Sequence, residues 1–191
     1  GKKSIKNHRP NSSAVVIAAG PSVKKNNHLE MLSNSNYKGA IVCTDRMLIL
    51  CLKNGITPKK FPKFYVLTIE PKDVTLKFYN DPIVKKYHKG IITVLSTCTE
   101  HETVEVIKKN NLEIFWFHPL IDDYRKPGSI NKIMNLMSKS KSNPTGLPGL
   151  QTGGNVGCFS WIFSWVILGC SPISLIGLDL GHNANTPLKK T

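Results

Sequence analysis

Two glycine turns and a few histidines and carboxylates are the residues of this 191-residue sequence equipped for chemistry. The turn Thr152-Gly153-Gly154-Asn155 precedes an uncharged helical run, 156–168. A helix opening there presents unpaired backbone N–H groups to an anion. After a break at Gly169, an apolar strand ends in Gly177-Leu178-Asp179-Leu180-Gly181-His182, setting a carboxylate and an imidazole at its carboxyl end. Near the N-terminus, Gly20-Pro21-Ser22 closes another apolar run. There the glycine lets backbone approach a ligand, and the Ser22 hydroxyl and following amides can donate to a phosphate. His182 has the pKa range of a general base, and His118, before Pro119 at another strand end, is the second candidate. Asp179 serves equally as a turn or helix cap. Asp122-Asp123 reads as a solvated pair, with Tyr124 and Arg125 beside it suited to an anionic sugar.

The elements that must position these groups follow from short apolar runs. Segments 14–19, 40–44, 64–69, 91–95, 113–117 and 173–176 read as buried strands. Asp45 stands at the carboxyl end of the second, and Glu70 at the end of the third. Helical patterns at 29–33, 46–53 and 102–109 lie between them, with Asn54-Gly55 stopping the second helix. Alternation at this spacing predicts an α/β fold, a Rossmann-like three-layer sandwich with a mostly parallel sheet. The chain reads as a single domain over 1–191, with an irregular lid or insertion at about 118–150 that includes a short helix at 130–137. The last residues follow closely on a core strand, so a truncated C-terminus is expected.

Composition narrows the partners. The segment 142–178 carries no charge, yet its helical run ends well short of the about 20 apolar residues a membrane span needs. A buried helix and central strand are therefore expected, with no transmembrane segment. Lys+Arg total 26 against 12 Asp+Glu, a formal +14, which attracts phosphorylated ligands, nucleic acid or anionic membrane alike. The lysines fall in dispersed pairs without an Arg-rich stripe, which disfavours sequence-specific nucleic-acid binding. Five cysteines without a C-x-x-C pair, and no secretory signal, predict a reducing, cytoplasmic setting.

The blocks Val16-Ile17-Ala18-Ala19-Gly20-Pro21-Ser22-Val23, Asp45 before a helix ending in Asn54-Gly55-Ile56-Thr57-Pro58, Thr152-Gly153-Gly154-Asn155-Val156, and 168–180 together resemble the 6-hydroxymethylpterin diphosphokinase MptE-like family. That group includes archaeal pterin pyrophosphokinases and bacterial motility-associated-factor proteins that glycosylate flagellin. A more distant similarity runs to bacterial sialyltransferases that use a CMP-sugar. The resemblance implies a nucleotide site made of Gly20, Pro21, Ser22, Asp45, Thr152, Gly153, Gly154, Asn155 and Asp179. It also implies that the pterin kinases hold Mg²⁺ with a clustered acidic motif after the third strand. Here that region reads Thr68-Ile69-Glu70-Pro71-Lys72-Asp73, leaving Glu70 and Asp73 as the metal candidates of that alternative. This departure favours the glycosyltransferase-like members, which need a cradle for the leaving phosphate and a base, with no cofactor required. The expected activity is transfer of a sugar, of the nonulosonic (sialic) type, from a CMP-activated donor to a hydroxyl acceptor. The alternatives are ATP- and Mg²⁺-dependent pyrophosphorylation of 6-hydroxymethyl-7,8-dihydropterin, and a non-catalytic nucleotide- or RNA-binding module.

Overall fold

The computed structural model describes residues 12–69 and 73–181. Seven strands, β1 (Ala14–Ile17), β2 (Ala40–Thr44), β3 (Phe64–Thr68), β4 (Ile91–Ser96), β5 (Glu113–Pro119), β6 (Gly149–Leu150) and β7 (Ile173–Ile176), form one parallel sheet ordered β6-β5-β4-β3-β2-β1-β7. Strands β1 to β4 are buried along their whole length, which is why their sequences are apolar apart from Thr44, Thr68, Thr93 and Ser96. The period of two shows instead in which core each side chain enters. Val15, Ile17, Ile41, Cys43, Phe64 and Val66 join one cluster, while Ala14, Val16, Ala40, Val42, Tyr65 and Leu67 join the other.

Right-handed crossovers decide which helices cover which face. From β1 to β5 the chain steps one way across the sheet. Helices α1 (Ser22–Lys25), α2 (His28–Ser33), α3 (Asp45–Lys53), α4 (Leu76–Tyr79), α5 (Pro82–Lys86) and α6 (His101–Lys109) thus share one face. Val23, Leu29, Leu48, Tyr79, Val84 and Ile107 carry them into the first core. A further helix, α7 (Ile130–Met137), links β5 to β6. The return from β6 to β7 crosses back past β1, so α8 (Val156–Ile162), continued by a π-helical turn at Phe163–Ile167, lies on the opposite face. Phe159 stacks on Phe117 of β5 with centroids 4.3 Å apart, and Phe163 meets Tyr65 of β3 edge-on at 5.7 Å. This pair fastens α8 across the sheet.

The Rossmann-like expectation is thereby met. Segment 118–150 is more regular than the sequence suggests: His118 and Pro119 still belong to β5, α7 occupies its middle, and Gly149–Leu150 adds an edge strand. Among the described residues, no helix is long and apolar enough to cross a membrane.

Candidate functional site

Every strand of a parallel sheet ends at the same edge, and the strand order reverses direction between β1 and β7. Ligands of open α/β sheets bind at such a switch point. The Gly20-Pro21-Ser22 turn leaves β1 there, and Gly177-Leu178-Asp179 leaves β7 beside it. The two corners are interlocked. Ala18 N–H donates to the Ile176 carbonyl and Gly20 N–H to the Gly177 carbonyl, both at 2.8 Å. A Cβ on Gly20 would lie 2.5 Å from the Gly177 oxygen and 2.6 Å from Asp179 Oδ2. Gly20 is thus required by the neighbouring corner, before any ligand is considered.

Asp179 supplies the anion that the sequence reading assigned to a phosphate. Its Oδ2 accepts from the Ser22 amide at 2.7 Å and its Oδ1 from the Ser22 hydroxyl at 2.6 Å. These bonds hold the carboxyl below the usual carboxylate range, with the nearby His28 adding to the effect. Both Ser22 donors are therefore satisfied within the protein. Asp179 thereby caps the first residue of α1.

The second turn keeps its donors in hand. Gly153 and Gly154 adopt φ of 66° and 84°, the left-handed region that favours glycine, and swing the chain into α8. Asn155 is the N-cap, with Oδ1 accepting from the Cys158 amide at 2.9 Å. The Val156 and Gly157 amides precede the first intrahelical donor and point out of the helix end. A Cβ on Gly153 would press on Cys158 Cβ at 2.8 Å, whereas one on Gly154 would meet nothing within 4 Å. Space over Gly154 is open. On the inner side, a Cβ on Gly157 would lie 2.6 Å from Leu178 Cδ1 and 3.3 Å from Ala18 Cβ. The start of α8 is thereby set against the β1–β7 corner, bringing the two predicted glycine turns to one place.

His118 stands on the same carboxyl edge, at the end of β5, four strands from β1. It lies opposite Gly149 in the β5–β6 register, just before the chain runs into Thr152-Gly153-Gly154-Asn155. Its Nδ1 shares a 2.9 Å hydrogen bond with Thr97 Oγ1, at the end of β4. The residue is only 6% exposed, and its buried Nε2 has no partner among the described residues. An unsatisfied buried nitrogen is costly and calls for a functional account.

The remaining candidates separate. Asp45 is 3% exposed at the start of α3, with Oδ1 accepting from the Arg46 amide at 2.7 Å. Burial first, and then this carboxylate, raise the Tyr79 hydroxyl's pKa. Asp45 thus faces the core beneath α3 and α4. Asp122, expected to be solvated, instead caps α7: it accepts from the Ser129 hydroxyl at 2.8 Å and the Ile130 amide at 2.6 Å. Desolvation would raise its carboxyl, but these bonds outweigh it and hold the carboxyl low. His182 and Glu70 lie outside the described residues, and Asp73 opens the 3-10 turn Asp73–Thr75. Among the described residues, no three His, Cys, Asp or Glu side chains gather as a metal site. The sequence reading also missed a cleft of about 580 Å³ on the α1–α3 flank of the β1 end, lined by Gly20, Val23, Lys24, Lys25, Met47 and Leu50. Gly20 and Pro21, named as nucleotide-site candidates, are on its wall, whereas Lys24 and Lys25 read in the sequence only as a solvated pair.

Comparison with known proteins agrees with this architecture. The solved structure of the MAf glycosyltransferase from Magnetospirillum magneticum AMB-1 superposes with a TM-score of 0.60 at 14% sequence identity, over 95% of this chain. This chain spans 25% of that protein's length. No curated protein matches the sequence. The family model for 6-hydroxymethylpterin diphosphokinase MptE-like proteins matches residues 2–185, and the chain belongs to that family.

Proposed function

We propose that this chain is the nucleotide-binding domain of a glycosyltransferase that moves a sugar from a nucleotide-activated donor to a hydroxyl acceptor, with a CMP-linked acidic sugar the favoured donor. One observation carries the reading: the start of α8, with open space over Gly154, is set against the switch point between β1 and β7. The Gly154, Val156 and Gly157 amides would receive the donor phosphate, where helix-end N–H groups and the macrodipole favour negative charge. The nucleoside would lie across the β1 end toward the cleft bearing Lys24 and Lys25. The fold neighbour's description as a glycosyltransferase supports this choice.

In the reaction the acceptor oxygen bonds to the anomeric carbon as the bond from that carbon to the phosphate oxygen breaks. The acceptor proton must leave, and the nucleotide departs with the electron pair. In the tautomer whose Nδ1–H donates to Thr97 Oγ1, the Nε2 of His118 would hold a lone pair for that proton. We therefore place His118 first as the base, ahead of His182. The family's name suggests a second reading, diphosphate transfer to a 6-hydroxymethylpterin; ATP would be the donor, and Glu70 and Asp73 would be the magnesium ligands.

A thermal-shift panel of CMP, CDP, ATP and GTP, each with Mg²⁺ and with EDTA, tests the proposal, because a ligand that binds only the folded state raises Tm. CMP is expected to raise Tm in EDTA. A shift only with ATP and Mg²⁺ would favour the pyrophosphokinase. No shift with any nucleotide would reject both.

A further inference from the structure

Helix α7 is mounted with its apolar side outward. Asn131, Asn135 and Ser138, spaced as one helical stripe, face the protein and hold it by hydrogen bonds. Asn131 is 2% exposed; its Oδ1 accepts from the Ile121 and Asp122 amides at 2.8 and 2.9 Å, and its Nδ2 donates to the Pro119 carbonyl at 2.9 Å. Asn135 Nδ2 donates to the Thr145 and Leu147 carbonyls, and Ser138 Oγ accepts from the Leu147 amide. The opposite stripe, Ile130, Ile133, Met134, Leu136 and Met137, is 38 to 77% exposed. A helix on a globular surface normally buries such a stripe. Ile121 and Leu147, both more than half exposed, extend the apolar surface beyond the helix.

Charge identifies what covers it. Arg125, Lys126, Lys132, Lys139 and Lys141 are all exposed in this segment, against Asp122 and Asp123. Asp122 is already engaged by the start of α7. At 100° per residue, Lys132 borders the apolar stripe on its Leu136 side, and Lys139 follows two residues past the last residue of the helix. Lysines are depleted in protein–protein interfaces. An apolar stripe rimmed by lysine is the pattern of a helix lying in a bilayer interface, where the stems reach past the acyl boundary and the ammonium groups meet anionic headgroups. The formal +14 of the chain adds attraction of the same sign.

We infer that the outward face of α7 docks this protein on an anionic lipid bilayer. Because α7 lies between His118 and the Thr152-Gly153-Gly154-Asn155 turn in the chain, docking would bring the carboxyl edge of the sheet close to the membrane surface. The inference does not depend on the transferase reading.

Vesicle flotation tests it, comparing mixed phosphatidylglycerol–phosphatidylcholine vesicles with pure phosphatidylcholine. The parent should float with the mixed vesicles and much less with the neutral ones. The double variant Ile133→Ser/Met137→Ser keeps every charge and alters only exposed side chains; it should lose about tenfold or more in partitioning, while Lys132→Gln/Lys139→Gln loses about tenfold. In the parent, mixed vesicles should slow hydrogen exchange of the α7 amides, a readout independent of how the variants fold. The inference is overturned if the parent does not bind mixed vesicles, if the serine variant binds them as the parent does, or if vesicles leave α7 exchange unchanged. Loss of a concentration-dependent dimer in the serine variant, without vesicle binding by the parent, would assign the face to a second copy instead.

Discussion

The Asp179 carboxylate spans both donors of Ser22, 157 residues away in sequence, at 2.7 and 2.6 Å. The contact ties the end of β7 to the start of α1. Since hydrogen bonding lowers the carboxyl's pKa, its contribution to stability is present above the unfolded-state value of about 3.9 and is lost as pH falls through the lower folded value. At neutral pH, Asp179→Asn should therefore melt below the parent. That gap should close on acidification below about pH 4. Melting curves across this range check it; a gap that does not change with pH would remove the ionised carboxylate from the account.

Gly154 offers a different separation, of binding from stability. Its φ of 84° disfavours an L-residue, yet a Cβ would meet nothing within 4 Å. Gly154→Val should cost about 1–2 kcal/mol of backbone strain while placing a branched side chain where the phosphate is proposed to lie. Nucleotide affinity should fall at least about tenfold, a change of about 1.4 kcal/mol, with a folded protein retained. Calorimetric titration beside a melting curve tests this. Unchanged affinity would remove the turn from the site.

Gly177 is constrained by space as well as by φ. At φ 68°, its Cβ would fall 2.3 Å from both the Ala18 oxygen and Val23 Cγ2. Gly177→Ala should destabilise by more than about 3 kcal/mol, because backbone strain adds to a clash that includes rigid backbone. A urea titration showing a loss under about 1 kcal/mol would mean that the corner can relax.

Much of this architecture is legible in the sequence because buried parallel strands are unbroken apolar runs and because α3 and α6 show a helical period over nine residues each. The four-residue helices α1 and α4 and the two-residue β6 are too short to show a period. The site was half legible. Glycine turns before helices mark candidate cradles, but only the fold reveals that Ser22 already holds Asp179 while the Gly153-Gly154 turn stays open. The apolar spacing of α7 predicts a helix at 130–137, yet it cannot say which stripe is anchored. The bonds of Asn131 and Asn135 to loop backbone decide that.

Asn131 should accordingly control the whole β5–β6 connection. Replacing it with Leu would leave the Ile121 and Asp122 amides and the Pro119 carbonyl without their partner in a site only 2% exposed. The expected loss is about 2–4 kcal/mol in a urea titration, with faster hydrogen exchange concentrated in 120–149. A loss spread evenly over the sheet would contradict this local role.

His118 carries the last prediction. If Nε2 takes the acceptor proton, His118→Ala should lower kcat by about 10²–10⁴-fold while leaving nucleotide affinity nearly unchanged, since the proton moves only in the chemical step. Thr97→Val should keep the imidazole but remove the 2.9 Å bond that orients it, giving a smaller loss of kcat. A loss of kcat with the melting temperature and nucleotide affinity unchanged separates orientation of the base from simple packing. His182→Ala, assayed in parallel, tests the other candidate. If His118→Ala turns over as the parent does and His182→Ala does not, the base is His182, and the unsatisfied Nε2 of His118 must be explained by another ligand at the sheet edge.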